Sequence, residues 1–288
     1  MANLKKKSDV VQMYGDTYTD EFLCGYTDED GVLHTEFEYR EMDGSDEEAI
    51  NRNTIKNSGS KIVSTILDRC IVRIGSIVKA ETKPAKWTEI IKSLLVPDQD
   101  YALIAIRKIS VGSEITVKHT CPSCKRELTT ETDVDELEVV PYNGDNVLEF
   151  ELKKGYVDKD GEVHKTGKVR FPNGLDREIV EPTARNNLAT ANTLLLSRII
   201  TELGTLKNVN DAVVRKLTSG DRQLIMKVLE DNNFGYKFEV SVDCPNCGHE
   251  FSGLCISSCF RYIMFNLFVF FIFLFYNSLY PHQTFRTR

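Results

Sequence analysis

The chain has 288 residues, a length that allows two domains of about 100 residues each. Its formal net charge is −7. Acidic residues are concentrated in segments 16–48 and 131–149, which argues against a nucleic-acid-binding face, because such a face needs clustered lysines and arginines. The basic run at residues 5–7 is interpreted as part of a solvated N-terminal arm.

Two turn sequences with the same spacing lie at residues 26–34 and 156–164. Each contains Tyr, Asp, Asp, Gly and His in that order, and the flanking alternation predicts β-hairpins. The Asp-x-Asp-Gly sequence resembles the start of a calcium loop, but Tyr39 stands where the first copy would need a glutamate ligand. Turn formation is therefore favoured, with His34 and His164 as surface or packing residues rather than metal ligands.

Apolar residues at helical spacing predict two long helices, at residues 60–78 and 190–206, and a loop is predicted around Gly59. Four shorter helices are predicted at residues 87–95, 99–109, 210–217 and 221–230. Alternation predicts three strands, at residues 114–118, 127–132 and 237–242.

These elements follow the same order twice, and such internal repetition indicates a duplicated structural unit. The sequence therefore predicts an α+β fold made of a tandem duplicated unit, each copy with a β-hairpin, helices and a strand that leads to a cysteine turn. The predicted division is an N-terminal arm (1–24), a first repeat unit (25–140), a linker (141–154), a second repeat unit (155–253) and a C-terminal tail (254–288).

The cysteine turns are two Cys-x-x-Cys sequences, formed by Cys121 and Cys124 and by Cys244 and Cys247. Four thiolates are the ligand set of a closed, tetrahedral structural zinc site. A strand, a Cys-Pro-x-Cys turn and a return strand form half of a zinc ribbon, so we expect one Zn²⁺ to join the two units as a zinc-ribbon-like clasp. Zinc binding would add on the order of 10 kcal/mol to folding.

Other interpretations of the cysteines are less favoured. A redox dithiol would open a helix in a thioredoxin-like βαβ unit, which neither pair has around it. Disulfides are disfavoured because the chain begins without a secretory signal. Each pair could instead meet its counterpart in a dimer. His119 and His249 lie beside the turns and are expected to be polar residues on the ribbon surface.

No P-loop, Gly-x-Ser-x-Gly or His-Glu-x-x-His motif occurs in the sequence. Cys24 and Cys70 are expected to be ordinary semi-buried residues. The sequence therefore predicts no catalytic residue and no small-molecule substrate, and indicates that the protein is not an enzyme.

The composition changes after Gly253, and seven phenylalanines lie between Phe260 and Phe275. Residues 260–280 could be a membrane anchor of borderline length, a hydrophobic plug that docks in a partner, or the translated read-through end of an AT-rich gene. The third interpretation is favoured, because the repeat is complete at Gly253.

Several motifs carry a resemblance to a known family. In the second unit they are Phe171-Pro172-Asn173-Gly174 and residues 177–182, 192–206, 219–222 and 242–251; in the first they are residues 40–44, 46–48 and 100–110 and the segment from Gly112 to Cys124. With these motifs the chain resembles the baseplate hub assembly proteins of contractile-tailed bacteriophages, a family related to phage tail-assembly chaperones. The resemblance covers most of residues 25–253, and the tail from Leu254 has no counterpart in it.

The resemblance implies a non-enzymatic assembly factor or minor component of the central baseplate hub. Its implied partners are hub, spike or tail-tube proteins, met in the host cytoplasm during virion assembly or in the virion baseplate. The alternative function is a zinc-ribbon adaptor anchored to a membrane by its C-terminal segment, with membrane contact expected only if residues 260–280 are genuine protein sequence. A zinc-dependent nucleic-acid binder would need a basic face that neither unit supplies.

Overall fold

The computed structural model describes residues 11–13, 17–52, 54–206 and 208–254. The described chain is a mixed α+β structure with several small antiparallel sheets, which confirms the predicted fold class at that level. Its helices are α1 (Gly44–Ile50), α2 (Gly59–Cys70), α3 (Pro84–Ser93), α4 (Val96–Val111), α5 (Gly174–Ala184), α6 (Leu188–Ile199), α7 (Asp211–Lys216) and α8 (Ser219–Asp231). Its strands are β1 (Val11–Met13), β2 (Thr17–Thr27), β3 (Leu33–Arg40), β4 (Ile71–Ile74), β5 (Ile77–Val78), β6 (Glu114–Thr120), β7 (Glu127–Asp133), β8 (Val139–Val140), β9 (Val147–Val157), β10 (Val163–Arg170), β11 (Ile200–Leu203), β12 (Gly235–Tyr236), β13 (Glu239–Asp243) and β14 (Glu250–Leu254).

The N-terminal sheet consists of β1 to β5 in that order. Helices α2 and α4 pack together, and α4 also packs against β2 and β3. The rings of Phe22 and Phe37 stack with their centroids 4.3 Å apart inside this core. Trp87 of α3 is fully buried and donates its indole N–H to the carbonyl of Asp68 at 3.1 Å. Apolar burial on one face of the sheet therefore fixes the position of α4, from which β6 continues.

The C-terminal sheet has the order β11-β10-β9. Helix α8 packs against β9, and α5 packs against α6. Its core contains Leu148 and Phe150 from β9, Leu196 from α6 and Ile225 from α8, all buried. The two sheets thus each have their own hydrophobic core.

The two long predicted helices are wrong in their second halves. Helix α2 ends at Cys70 and is followed directly by β4, while α6 ends at Ile199 and is followed directly by β11. The apolar residues at both junctions fit helical spacing, but their β-branched side chains also suit a short buried strand, and pairing with β3 and β10 decides for the strand. The predicted loop at Gly59 is also wrong, because Ser58 caps α2 and Gly59 is its first residue.

Two strands begin inside segments that the sequence assigns to the arm and the linker. Strand β2 begins at Thr17, within the predicted arm 1–24, and β9 begins at Val147, within the predicted linker 141–154. Each strand has a register shift in its pairing with the next strand. This irregularity interrupts the period-two pattern by which a strand is recognised in a sequence.

Helices α1 and α5 are further elements that the apolar periodicity does not predict. Each begins with a capping box, made by Asp43 and Asp46 in α1 and by Asn173 and Asp176 in α5. A polar residue followed three positions later by an acidic one is therefore the local signal that marks both helices.

The two halves of the chain are interlocked by backbone pairing. The N–H of Val96 donates to the carbonyl of Pro172 at 3.0 Å, and the N–H of Gly174 donates to the carbonyl of Leu94 at 3.1 Å. Phe238, from the C-terminal half, belongs to the core of the N-terminal sheet. The segment that leads to the second cysteine turn therefore lies against the first half.

Among the described residues, no helix is both long and apolar enough to cross a bilayer. Residues 260–280, and the rest of the tail beyond Leu254, lie outside the described residues. The membrane-anchor, plug and read-through interpretations of that tail stay predictions.

Candidate metal centre

The first cysteine turn connects β6 to β7, whose last pair is Thr120 opposite Glu127. The N–H of Cys121 donates to the carbonyl of Arg126 at 2.9 Å, and the N–H of Lys125 donates to the carbonyl of Cys121 at 3.0 Å. Lys125 has a φ of 61°, which among the described residues makes it the one non-glycine residue with positive φ. This left-handed residue lets the chain reverse directly after Cys124.

The second cysteine turn connects β13 to β14 in the same way. The N–H of Cys244 donates to the carbonyl of His249 at 3.0 Å, and the N–H of Gly248 donates to the carbonyl of Cys244 at 2.9 Å. Gly248 has a φ of 66°, which glycine adopts at little cost. Pairing of β8 with β12 in the connecting segments, Tyr236 opposite Val139, brings this hairpin to the first one.

The four sulfurs meet in one cluster within the chain. The Sγ atoms of Cys121 and Cys247 are 3.7 Å apart, those of Cys124 and Cys244 are 3.6 Å apart, and all four lie within 4.8 Å of one another. A disulfide would need about 2.05 Å. Four sulfurs at about 2.3 Å from a central ion would be about 3.8 Å apart at tetrahedral angles. The spacing therefore fits a metal ion and not disulfides.

The cluster is buried on one side and open on the other. Cys121 and Cys244 are buried, and Cys247 is exposed. The backbone N–H of Arg126 and then the side chain of Asn246 lower the pKa of Cys124 to about 6. The backbone N–H of His249 acts in the same direction on Cys247, but desolvation and the three other sulfurs outweigh it and raise the pKa of that thiol to about 11.

Contact with the other sulfurs contributes to both pKa directions. One thiolate in the cluster accepts hydrogen bonds from the remaining thiols, so a further negative charge beside it is disfavoured. A bound cation removes that penalty, because it offsets the charge of all four thiolates. The donor set is soft and all sulfur, which suits Zn²⁺ among the common protein metals.

The two histidines beside the turns do not belong to the sulfur cluster. His119 is buried, its Nε2 lies 2.9 Å from the hydroxyl of Thr130, and burial lowers its pKa. It lies edge-on to Phe251 with the ring centroids 6.2 Å apart. The expectation that both histidines lie on the ribbon surface is therefore wrong for His119, which packs between the two hairpins. His249 is exposed and stacks on the same phenylalanine.

The histidines of the two Asp-x-Asp-Gly turns are buried packing residues. The Nε2 of His34 lies 2.9 Å from a carboxylate oxygen of Asp28. A Cβ on Gly75, whose φ is +53°, would overlap the His34 ring, so only glycine fits there. This arrangement fixes the hairpin tip against the turn that follows β4.

In the second of these turns, Asp158, Glu162 and His164 lie close enough together to bind a metal ion. The Asp158 carboxylate already contacts His164 at 3.1 Å and accepts the backbone N–H of Glu162 at 2.9 Å. In the first turn Val32 takes the place of Glu162, and the Asp28 carboxylate accepts the backbone N–H of Val32 in the same way. The shared contacts therefore stabilise a turn, and the glutamate is incidental to them.

The two other cysteines of the described residues lie away from the cluster. Cys24 is half-buried, and Cys70 is fully buried with its sulfur 3.8 Å from a carboxylate oxygen of Asp46. Burial, helped by that carboxylate, raises the pKa of Cys70 to about 12. Neither thiol has the features of a reactive nucleophile.

Two buried carboxylates at the start of α4 and α8 are important positions that the sequence indicates only as helix caps. Asp98 accepts the backbone N–H groups of residues 23–25, at 2.8, 3.0 and 2.9 Å. Asp221 accepts those of residues 153–155. Each carboxylate thus connects a helix to the irregular part of a long strand.

Comparison with protein-family models gives a match over most of the chain. A family model described as "T4 bacteriophage base plate protein" matches residues 30–257, which is more than half of the chain and includes both cysteine turns. No curated protein and no solved structure matches the chain. The family match confirms the resemblance to phage baseplate proteins on which the sequence-based expectation depends.

Proposed function

Because the chain belongs to the T4 bacteriophage base plate protein family, we propose that it is a zinc-binding assembly factor or minor component of the baseplate hub. It acts through protein–protein contacts and not as an enzyme. The observation that carries this proposal is the cluster of Cys121, Cys124, Cys244 and Cys247, whose spacing fits one tetrahedral ion. The ligands come from two hairpins far apart in sequence, so the ion would act as a clasp.

The proposed metal is structural Zn²⁺. Four thiolates fill a tetrahedral zinc site, and no coordination position then remains for a substrate or a water molecule. Bound zinc would supply cross-linking of the two hairpins and charge neutralisation of the sulfurs. The chain's own contribution is to orient the thiolates, through the backbone turns at Lys125 and Gly248.

The proposal includes a tandem duplication, with units at residues 25–140 and 155–253, an arm at 1–24, a linker at 141–154 and a tail at 254–288. Paired ionic contacts support it. Asp46 binds two arginines, at 2.7 Å from Arg40 and 2.5 Å from Arg69. Asp176 binds Arg170 at 2.6 Å and Arg198 at 2.8 Å. Both carboxylates are buried, and the contacting atoms are the same in each case.

The same correspondence extends to the hairpins and the helix caps. His34 and His164 contact equivalent aspartates, and Asp98 and Asp221 accept equivalent backbone N–H groups. Chance does not repeat such a set in the same chain order. In this account the zinc-ribbon-like clasp joins the ends of the two units.

The family suggests other phage baseplate or tail proteins as partners. We propose hub, spike or tail-tube subunits, met in the host cytoplasm during assembly or in the virion baseplate. The net charge of −7 and the acidic segments favour protein contacts over nucleic acid. The membrane-anchored adaptor depends on residues 260–280, which lie outside the described part of the chain.

The test is complementation of a phage in which this gene is deleted. We expect the unaltered chain to restore infectious particles, and the Cys121→Ser/Cys244→Ser variant to yield tails without complete baseplates in electron micrographs. The matched control is Cys24→Ser, which alters a half-buried cysteine outside the cluster and should complement. Complete baseplates with the double variant, or their loss with the control as well, would contradict the proposed role of the cluster.

A further inference from the structure

The C-terminal sheet ends at β9 among the described residues, and this edge has a close counterpart in the N-terminal sheet. Val147, the first residue of β9, lies opposite Arg170 on β10. Thr17, the first residue of β2, lies opposite Arg40 on β3 in the same way. The outer edges of β2 and β9 can therefore be compared residue by residue.

The outer edge of β2 is occupied. Strand β1 adds to it in antiparallel register, with Met13 opposite Thr17 and Val11 opposite Thr19. In the described part of the chain no strand takes the corresponding place beside residues 147–149 of β9. Within the described residues, one of these two equivalent edges is therefore filled and the other is not.

The chain before β9 explains why its edge is left unfilled. Val139–Val140 pairs with Gly235–Tyr236 instead of returning along β9. The ring of Tyr142 packs against Phe234 with the centroids 4.8 Å apart. Pro141 has no N–H to donate to a strand ladder. The segment that corresponds to β1 therefore packs against the residues that lead to the second cysteine turn, and does not pair with β9.

The unfilled edge has defined ends and a defined side-chain pattern. Leu148 and Phe150 point into the core, while Val147, Glu149 and Glu151 are exposed. At its far end the edge is closed, because the N–H groups of residues 153–155 donate to Asp221. Residues 147–151 are therefore the window in which another strand can pair.

The charges across the sheet identify what kind of strand fits. Glu202 of β11 contacts Lys168 of β10 at 3.1 Å, and Lys168 lies opposite Glu149 of β9. The next strand outward would continue this alternation with a cationic residue beside Glu149, because opposite charges on neighbouring strands attract. A second copy pairing through the same edge would instead set glutamates against glutamates, which disfavours self-association.

We propose that residues 147–151 bind an extended segment of another protein, which adds as an antiparallel strand and carries Lys or Arg at alternate positions. Backbone hydrogen bonds to the strand edge would provide affinity, and the two glutamates would select the charge. This inference rests on the proposed role in protein–protein contacts and names the recognition chemistry of one such contact.

The experiment uses the full chain and three capped synthetic peptides. The first alternates lysine and valine, the second alternates glutamate and valine, and the third is the lysine peptide with alternate backbone nitrogens methylated. Amide hydrogen exchange is followed by mass spectrometry. We expect the lysine peptide alone to slow exchange within residues 147–151, and residues 17–19, already covered by β1, to stay unchanged.

Charge reversal is the second arm of the experiment. Glu149→Lys/Glu151→Lys should weaken binding of the lysine peptide about tenfold and make the glutamate peptide the better ligand. Glu48→Lys, a charge reversal at an exposed position of α1, should change neither affinity. Binding of the glutamate peptide by the double variant would show that this variant is folded.

Several results would overturn the proposal. These are equal binding of the methylated peptide, unchanged peptide preference after charge reversal, or protection of residues 147–151 in the free protein by its own chain. Self-association through this edge, detected by sedimentation, would also contradict it. Zinc content is measured in the same samples, so that a failure of the proposed clasp is distinguished from a failure of the edge.

Discussion

Glu181 of α5 connects the two halves of the molecule through the N-terminus of α2. Glu181 is 6% exposed. It accepts the N–H groups of Gly59 at 3.0 Å and Ser60 at 2.9 Å, and the hydroxyl of Ser58 at 2.8 Å. The Ser60 hydroxyl and the Arg185 guanidinium also donate to it. Glu181→Gln puts an NH₂ group among these donors in place of one acceptor oxygen.

The expected loss of unfolding free energy is about 3 kcal/mol at pH 7. Removing one partner of a buried, hydrogen-bonded ion pair typically costs about 3–5 kcal/mol. The lower end applies here, because Arg185 is 33% exposed and water screens its share. The loss would fall on the interface between the halves, since the donors at residues 58–60 belong to the first half and Glu181 to the second.

The effect depends on pH with a definite sign. Burial opposes ionisation of Glu181, but hydrogen bonds from Ser60, Arg185 and Ser58 outweigh it and lower the pKa of the carboxyl. A lowered pKa means that the stabilisation is present above the unfolded-state value of about 4.3 and is lost as pH falls through the folded-state value. The difference between the natural chain and the glutamine variant should therefore shrink in acid.

The assay is urea unfolding of both proteins at pH 7 and at a series of lower pH values. Acid effects common to both, such as loss of a metal, cancel in the difference. Glu48→Gln is the control, because this side chain is exposed on α1 and should change stability by less than about 0.5 kcal/mol. If Glu181→Gln lies within about 1 kcal/mol of the natural chain at pH 7, the interface argument is refuted.

The remaining predictions concern the two helix-cap aspartates and the backbone of the two cysteine turns. Burial raises the pKa of Asp98 to about 6, whereas hydrogen bonds from residues 153–155 lower the pKa of Asp221 in spite of desolvation. Carbon-13 NMR titration of the carboxyl groups should therefore find that Asp98 is protonated first as pH falls. Protonation of Asp221 before Asp98 would contradict this prediction. Ionisation of Asp98 disfavours folding. The stability that the protonated carboxyl contributes is therefore fully present below about pH 4 and is lost as pH rises through about 6. At the cysteine turns, Lys125→Gly should raise the free energy of unfolding by up to about 1 kcal/mol and Gly248→Ala should lower it by about 1 kcal/mol, because both positions have positive φ. Both changes are measured by chemical denaturation. If the two substitutions change the free energy of unfolding equally, the two turns do not share this conformation.

The cysteine cluster is the feature that the sequence predicts best. Both Cys-Pro-x-Cys turns lie at the ends of strands as predicted, and the strands at residues 114–118 and 127–132 extend by only one or two residues in β6 and β7. Local hydrogen bonding defines such turns, so local sequence is sufficient to identify them. The burial of His119 depends on the second hairpin, which lies far away in the chain.

The strands after the long helices could not be separated from them by periodicity. The residues of β4 fit a helix and a buried strand equally, and the choice depends on pairing with β3, a contact between distant residues. The pairing of β8 with β12 has the same character, since each contributes two residues and neither has a pattern of its own. Register shifts in β2 and β9 hide both strands from an alternation test.

The most direct test of the zinc clasp is X-ray absorption at the zinc edge of the purified full chain, with metal content measured per chain. We expect one zinc per chain with four sulfur neighbours at about 2.3 Å, and loss of the bound zinc in Cys121→Ser/Cys244→Ser. Absence of zinc from the natural chain, a shell with nitrogen or oxygen ligands, or one zinc shared between two chains would contradict the account.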